Sequence, residues 1–372
     1  MRNVAMRDNW TEAVLGEVAT WATGKNLSAS KRNSAGAHPI LGANGIIGRT
    51  NEVFLDCDLI TVGRVGACGE THRSAGPVWV SDNALIAIPN NRVLFDYLYH
   101  VLSVFEYQTI TSGTTQPLIT QNKLKNQVIQ LPPLAEQKRI VDVMGAVDTY
   151  IAALLQEVAD ARTARYAVLH ELLTAVGDDW TETTLGLHIN VVMGQAPPGN
   201  DCNKNGVGVP FVKAGEFTDG FPVIREWTTN PLRYAKLGDT LVCVVGATCG
   251  KLSQGIDCAI GRSVAALQPL ETIDGQFLWN FMTMKVQEMR SGSRGSAQGV
   301  ITKDDLADLK LVLPPLTEQQ QIAEMVSTMD DVIGAAQEAV FDAQGLRSGL
   351  LSELLSGDHE IPETYDRLLG AA

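Results

Sequence analysis

The stretch LPPLAEQKRI begins at Leu131, and LPPLTEQQQI begins at Leu313, so the chain spells nearly the same phrase twice, 182 positions apart. The same shift, without a gap, superimposes Ile140 on Ile322, Val147 on Met329, Ile151 on Ile333 and Leu172 on Leu354. Apolar residues recur three and four apart in both copies, the period of an amphipathic helix with a single stripe. Each copy opens after a double proline, whose fixed φ and missing N–H are tolerated in a first helical turn, and Glu136 or Glu318 suits the positive helix start. Gly177 and Gly357 follow where a helix would end. Two long helices are therefore predicted, within 131–177 and 313–357, each roughly 60 Å long at about 1.5 Å per residue.

Neither helix can hide its stripe alone. The simplest cover for each is the other copy, since similar amphipathic helices in one chain meet at high effective concentration, and twofold-related repeats would pair antiparallel. Ile140, Val147, Ile151 and Leu172 would then pack with Ile322, Met329, Ile333 and Leu354. The alternative is that each helix packs only on its own domain.

A chain of 372 residues is too long for one ordinary core and suits two. The segments before the helices, 1–130 and 178–312, correspond loosely. Trp10 to Gly16 matches Trp180 to Gly186, Val62 to Gly69 resembles Val245 to Gly250, and Gln116 to Thr120 matches Gln298 to Thr302. DLITVGRVG, ALIAIPN and DTLVCVVGA read as short strands closed by Gly, Pro or Asn, whereas FDYLYHVLSVFEY and GQFLWNFMTMKVQEM have helical spacing. The fold class expected is α+β: two mixed α/β domains, each a curved sheet with a few helices and each followed by a long helix, the helices forming an antiparallel coiled coil. Residues 358–372 are left as a tail.

The apolar content of 45% is that of a globular chain. No run reaches the roughly 18 apolar residues that span a bilayer, and MRNVAMRDNW lacks the apolar core of a signal peptide, so the expected location is the cytoplasm, with no membrane contact. The six cysteines form no C-x-x-C pair and read as structural thiols. Net charge of −13 is concentrated in the last 60 residues, which hold 2 basic and 11 acidic side chains, and the two large segments are near balance. A polyanion responds to a local basic face, not to the sum.

Catalytic and cofactor motifs are missing. Gly246 to Leu252 resembles a phosphate loop, but it has three residues between glycines instead of four, and Leu252 stands where a Ser or Thr should hold magnesium. There is no G-x-S-x-G, no H-E-x-x-H, no G-x-G-x-x-G after a strand and no N-P-P-Y or D-P-P-Y tetrapeptide. The six histidines are scattered.

What remains is a set of Arg, Lys, Asn and Gln on Gly-rich loops. The first segment offers Lys25, Lys31, Arg32, Asn33, Asn44, Arg49, Arg64, Arg73 and Gln116. The second offers Lys204, Lys213, Arg225, Arg233, Lys251, Arg262, Arg294 and Gln298. Arg and Lys neutralise phosphates or pair with guanine, and Asn or Gln pairs with adenine. Any one of them alone would read as a solvated surface residue; the set, presented before the same helix in both copies, reads as a DNA-binding face.

The order variable domain, long helix, variable domain, long helix, with L-P-P-L-x-E-Q opening each helix and W-x-x-x-x-L-G opening each domain, resembles the specificity subunit of type I restriction-modification enzymes over essentially the whole chain. The resemblance implies two target-recognition domains, each reading one half of a split sequence in double-stranded DNA, with the paired helices as the ruler between them. It also implies two DNA adenine methyltransferase subunits docked on the helices and, where present, two restriction/translocase subunits. The chain itself would be no enzyme and would bind no cofactor, S-adenosylmethionine, ATP and Mg being expected on its partners. A rival reading is a non-catalytic scaffold whose two domains bind protein or glycan.

Overall fold

The computed structural model describes residues 9–113, 117–175, 177–218, 220–292 and 299–366. The chain forms two compact units, one of 1–155 with 338–372 and one of 156–337, so each unit takes half of each long helix. The helices run Leu134–Thr174 and Leu316–Ser356, 41 residues apiece.

In the first unit a four-stranded antiparallel sheet is ordered Ala19–Thr23, Ala84–Pro89, Leu59–Gly63, Thr71–Ser74, and a three-stranded sheet is ordered Gly45–Thr50, His38–Gly42, Trp79–Val80. A ribbon of Thr11–Val14 with Val128–Leu131 joins the start of the domain to its end. The second unit repeats the plan: Ile189–Met193, Val264–Pro269, Thr240–Cys243 and Leu252–Gln254 form its four-stranded sheet, and Thr181–Thr184 pairs with Lys310–Leu313 as its ribbon.

Each domain therefore holds two stacked sheets instead of the one curved sheet expected, and the strand sequences give the reason. Successive side chains on a strand point to opposite faces. Along Ala84–Pro89, Leu85 and Ala87 enter a core shared with the helix Phe95–Ser103, while Ala84 and Ile86 enter a second core beneath the smaller sheet. Val242 and Leu241 divide in the same way in the second unit. A strand buried on both faces reads as a continuous apolar run, which is what ALIAIP and LVC are. Cys243 and Cys258 lie in such positions, and burial pushes the Cys258 thiol up to about 12.

The long helices are covered from two sides at once. In the first unit Ile140 and Met144 share one core with Leu351, Leu354 and the domain; in the second, Leu172 and Ile322 join the other domain's core. Ile151 and Ile333 are buried, Val147 and Met329 half-buried. Within each unit a helix is thus covered both by the other helix and by a domain, so the alternative in which each packs only on its own domain does not hold. The pairing is antiparallel within each unit. Asp148 faces Arg347 while Ile140 and Met144 share a core with Leu351 and Leu354, so one index falls as the other rises; Arg165 likewise faces Asp330 while Leu172 and Ile322 share a core.

The repeated phrase has a structural task. Trp10 Nε1 donates to Glu136 and Trp180 Nε1 to Glu318, both at 2.9 Å, so the tryptophan that opens each domain is tied to the helix that closes it. Gln137, fully buried, accepts from Leu94 N at 2.8 Å and donates to the carbonyls of Arg92 and Pro132. Gln319 does the same with Asp274 N, Thr272 and Pro314.

Among the described residues, the tail adds a contact to the first unit. Buried Arg139 donates to Asp366 at 3.0 Å and to the Ile361 carbonyl at 3.2 Å, and Ile361 and Tyr365 close the core below. Deleting residues 358–372 is expected to lower the unfolding free energy of the first unit by about 2 kcal/mol, roughly the value of burying one isoleucine. Chemical denaturation followed by unit-resolved hydrogen exchange checks this, and an unchanged first unit would contradict it.

Candidate nucleic-acid interface

The loops at one end of each four-stranded sheet are locked by close backbone approach. In the first unit a Cβ at Gly63 would lie 1.9 Å from the Ala67 carbonyl oxygen and 2.5 Å from that of Ala43, so only glycine lets the 63–69 turn fold onto the hairpin tip at Ala43 to Gly45. Cys68 Sγ lies 3.0 Å from the carbonyl oxygens of Arg64 and Pro117, and Ile119 N donates to Arg64 O. A bridge from Val65 to Leu118 completes the clamp. These contacts gather Asn44, Arg64, Pro117 and Leu118 into one place. Arg64 Nη1 reaches the Asp82 carbonyl at 3.4 Å, and exposed Asn44 sits at the hairpin tip beside His72.

The corresponding end of the second unit is built on Gly261. Its N–H donates to Val212 O, its Cβ position lies 3.1 Å from the Lys213 side chain, and the neighbouring Ile260 N donates to Arg233 O. Lys213, Arg233 and Arg262 therefore meet at one corner, with Arg233 and Arg262 exposed. The Glu226 carboxylate, bonded to the Lys213 ammonium, holds the lysine pKa above its usual value.

The remaining candidates divide by what they already hold. Arg49 donates to the carbonyls of Gly36 and Ala37, both at 2.6 Å, and Arg73 pairs with Asp96 at 2.6 Å over the Tyr99 ring. Lys251, the lysine of the near phosphate loop, donates to Phe217 O at 2.8 Å. Lys31 pairs with Glu52 at 3.2 Å, and Lys25 lies over the Phe54 ring. Arg32, Asn33, Lys204 and Arg225 are exposed. Gln116, Arg294 and Gln298 lie outside the described residues.

Sequence comparison passed over Ile46 and Ile47, which follow the Asn44-Gly45 turn and are 65% and 48% exposed on the hairpin. The Asn-Gly pair is the signal that could have marked a hairpin there. The structure also corrects the loop alignment. Bridges Val65 to Leu118 and Val245 to Val300 match, and Gly66 and Gly246 both have positive φ, so Gly66 and not Gly63 is the partner of Gly246. Arg64 then corresponds to Val244, which is buried and accepts from Ile301 N as Arg64 accepts from Ile119 N. By the same register Asp82 corresponds to Arg262: Arg64 N donates to Asn83 O and Val244 N to Ser263 O. The scaffold is the same, but the cation has moved from one loop to the next.

Among the described residues no group of three or more His, Cys, Asp or Glu is placed to hold a metal ion, and no helix is long and apolar enough to cross a membrane.

A family model described as the type I restriction modification DNA specificity domain matches residues 7–160 and 177–339. The putative type I restriction enzyme MjaX specificity subunit of Methanocaldococcus jannaschii is 27% identical over 300 residues, covering 74% of this chain and 71% of that protein. The type I restriction enzyme EcoBI specificity subunit of Escherichia coli is 24% identical over 337 residues, covering 76% and 70%. Among solved structures, a chain of a type I R-M system studied for its complex assembly and conformational transition superimposes with a TM-score of 0.70 at 22% identity, covering 96% of this chain and 100% of the other. The S subunit of the type I restriction-modification system from M. genitalium gives 0.55 at 16% identity, covering 96% and 99%. At these identities the superpositions speak for the fold.

Proposed function

The chain belongs to the type I restriction-modification DNA specificity family, and from that premise we propose that it reads a split target in double-stranded DNA, one half with each domain. It is a specificity subunit and not itself an enzyme. On this reading it docks two adenine methyltransferase subunits, which carry S-adenosylmethionine, and restriction/translocase subunits that use ATP and Mg are further partners. The cytoplasm is the compartment that suits such a complex.

The observation that carries the reading is the displaced cation. Two domains with one backbone plan present Arg64 beside the Asp82 loop in one unit and Arg262 beside buried Val244 in the other. A guanidinium offers paired donors that fit guanine in the major groove, so its position decides which base is favoured. Equivalent loops with different cations are what two readers of different sequences need. Net charge of −13 gives little general attraction to a duplex, so affinity would rest on these local groups and on the partners' surfaces.

The test is methylome sequencing of cells in which this chain and its modification subunits direct methylation. Arg64→Ala is expected to relax one half of the methylated motif and Arg262→Ala the other, with about tenfold loss of discrimination at one base pair in each, a value within the ~1–3 kcal/mol of a bidentate contact. A motif unchanged in both variants would reject the assignment of these loops as readers.

A further inference from the structure

Each unit carries a polar cluster, half-buried at its ion pair and buried at its third member, where the helix of the recognition domain meets the two long helices. In the second unit Arg165 clasps both carboxylate oxygens of Asp330 and reaches Asn280 Oδ1 at 3.4 Å. In the first, Arg347 clasps both oxygens of Asp148, and His100 lies within the field of both charges. Asp148 and Asp330, like Arg165 and Arg347, are 182 apart, so the cluster is duplicated with its partners crossed between the helices. His100 and Asn280 also correspond: Leu94 and Asp274, six residues before each, both donate to the clamping glutamine.

The polar members of these clusters sit where a hydrocarbon side chain would be easier to bury. Asn280 is 0% exposed and His100 3%, on helices whose neighbouring faces are apolar, and Asn280 Nδ2 and His100 Nδ1 have no hydrogen-bond partner among the described residues. Such a group is costly to bury except beside compensating charge. A shift of either helix, Phe95–Ser103 or Gly275–Gly292, by one turn would carry its polar group away from the ion pair and into the apolar core. A two-pronged Arg–carboxylate contact is itself directional, so it fixes an angle as well as a distance.

We propose that Asp148, Arg347 and His100 in one unit, and Asp330, Arg165 and Asn280 in the other, are positioning residues that fix each recognition domain on its helix pair and thereby set the gap accepted between the half-sites. This deepens the functional reading above and rests on it. A domain held at one angle tolerates one gap; a domain that can rock tolerates its neighbours.

The experiment uses the complete complex and a library of targets whose gap is varied one base pair at a time. For Arg347→Met, and separately Arg165→Met, methylation of targets one base pair too long or too short, relative to the native gap, is expected to rise about tenfold, within the range of coupling energies measured for networked residues. The bases read in each half should not change. The crossed pair Asp148→Arg with Arg347→Asp should restore the native gap preference, which a loss of general stability would not do. Arg347→Lys keeps the charge but loses the two-pronged contact, and intermediate relaxation is expected; should the Met variants not fold, this variant decides. A native gap preference in Arg347→Lys or in the folded Met variants would overturn the proposal, as would a double variant no tighter than its single parent. If the wild-type complex methylates no split motif at all, the functional reading falls and this inference with it, whereas an intact split motif with indifferent variants removes the inference alone.

Discussion

Replacing Gln137 with alanine is expected to raise amide exchange in the helix Phe95–Ser103 about a thousandfold, because three backbone groups, one buried and two half-buried, lose a partner whose side chain is itself fully buried, and each unpaired group costs ~1–3 kcal/mol. The groups are Leu94 N at the start of that helix, Arg92 O in the turn before it, and Pro132 O at the start of the long helix. No water replaces the glutamine easily at a fully buried site, so a total of about 4 kcal/mol is the expected size, equivalent to three powers of ten in the opening equilibrium. Glutamate should not rescue it, since a carboxylate can accept from Leu94 N but can only face the two carbonyls with more negative charge. The second unit is the internal control. Gln319 makes the same three bonds, so Gln319→Ala should free the start of the helix Gly275–Gly292 and leave Phe95–Ser103 protected. A rise of less than about tenfold at Phe95–Ser103 in Gln137→Ala would mean that the clamp contributes less than one ordinary hydrogen bond.

That clamp marks where sequence reasoning stopped. The long helices were legible because a period of three and four is a local property, and Ile140, Ile151, Ile322 and Ile333 carry it on the chain itself. The duplicated glutamine was visible as a letter, but its use was not, since Leu94 and Arg92 lie 43 and 45 residues away from Gln137. The second sheet was missed because a run such as ALIAIP shows only that both faces are buried and says nothing of what buries them. Loop alignment failed for a similar reason: the helices and Gln116 to Thr120 keep the shift of 182, but the opening tryptophans are 170 apart and the Gly66 and Gly246 turns 180, so residues were inserted between anchors where one fixed shift cannot follow. Among the cations, composition could nominate Arg49, Arg73, Lys213 and Lys251 but could not see that each is closely held by a carboxylate or a carbonyl, while Arg64 reaches the Asp82 carbonyl only at 3.4 Å. Arg64 and Arg262 gained weight only when the register set each against its counterpart, Val244 or Asp82.

Between pH 7 and pH 5 the first unit should lose about 2 kcal/mol of stability through His100 alone, by the linkage between a shifted pKa and folding. Burial is the larger cause that brings its pKa down to about 4 from 6.5, and the Arg347 charge pushes the same way; Asp148 and Asp96 oppose it, and Arg73, paired with Asp96, adds a smaller push. The sign follows from which state takes up the proton first. As pH falls below 6.5 the unfolded chain protonates His100 while the folded chain resists until about 4, so acid pulls the equilibrium toward unfolding across that window, and the loss levels off below it. Asp148, held below its usual range chiefly by its hydrogen bond to Arg347, adds a further loss only at lower pH, once its carboxylate begins to protonate. The second unit has Asn280 at the same place, which does not titrate; its His188 is also lowered by burial, so a shallow slope is expected there. Unit-resolved hydrogen exchange or thermal unfolding from pH 7 to pH 5 separates the two. His100→Asn installs the second unit's solution in the first and should flatten most of the slope while keeping a polar group beside the Asp148 and Arg347 pair. If the first unit of that variant remained as acid-sensitive as the wild type, the sensitivity would belong to other groups, and His100 would be no more than a neutral part of the cluster.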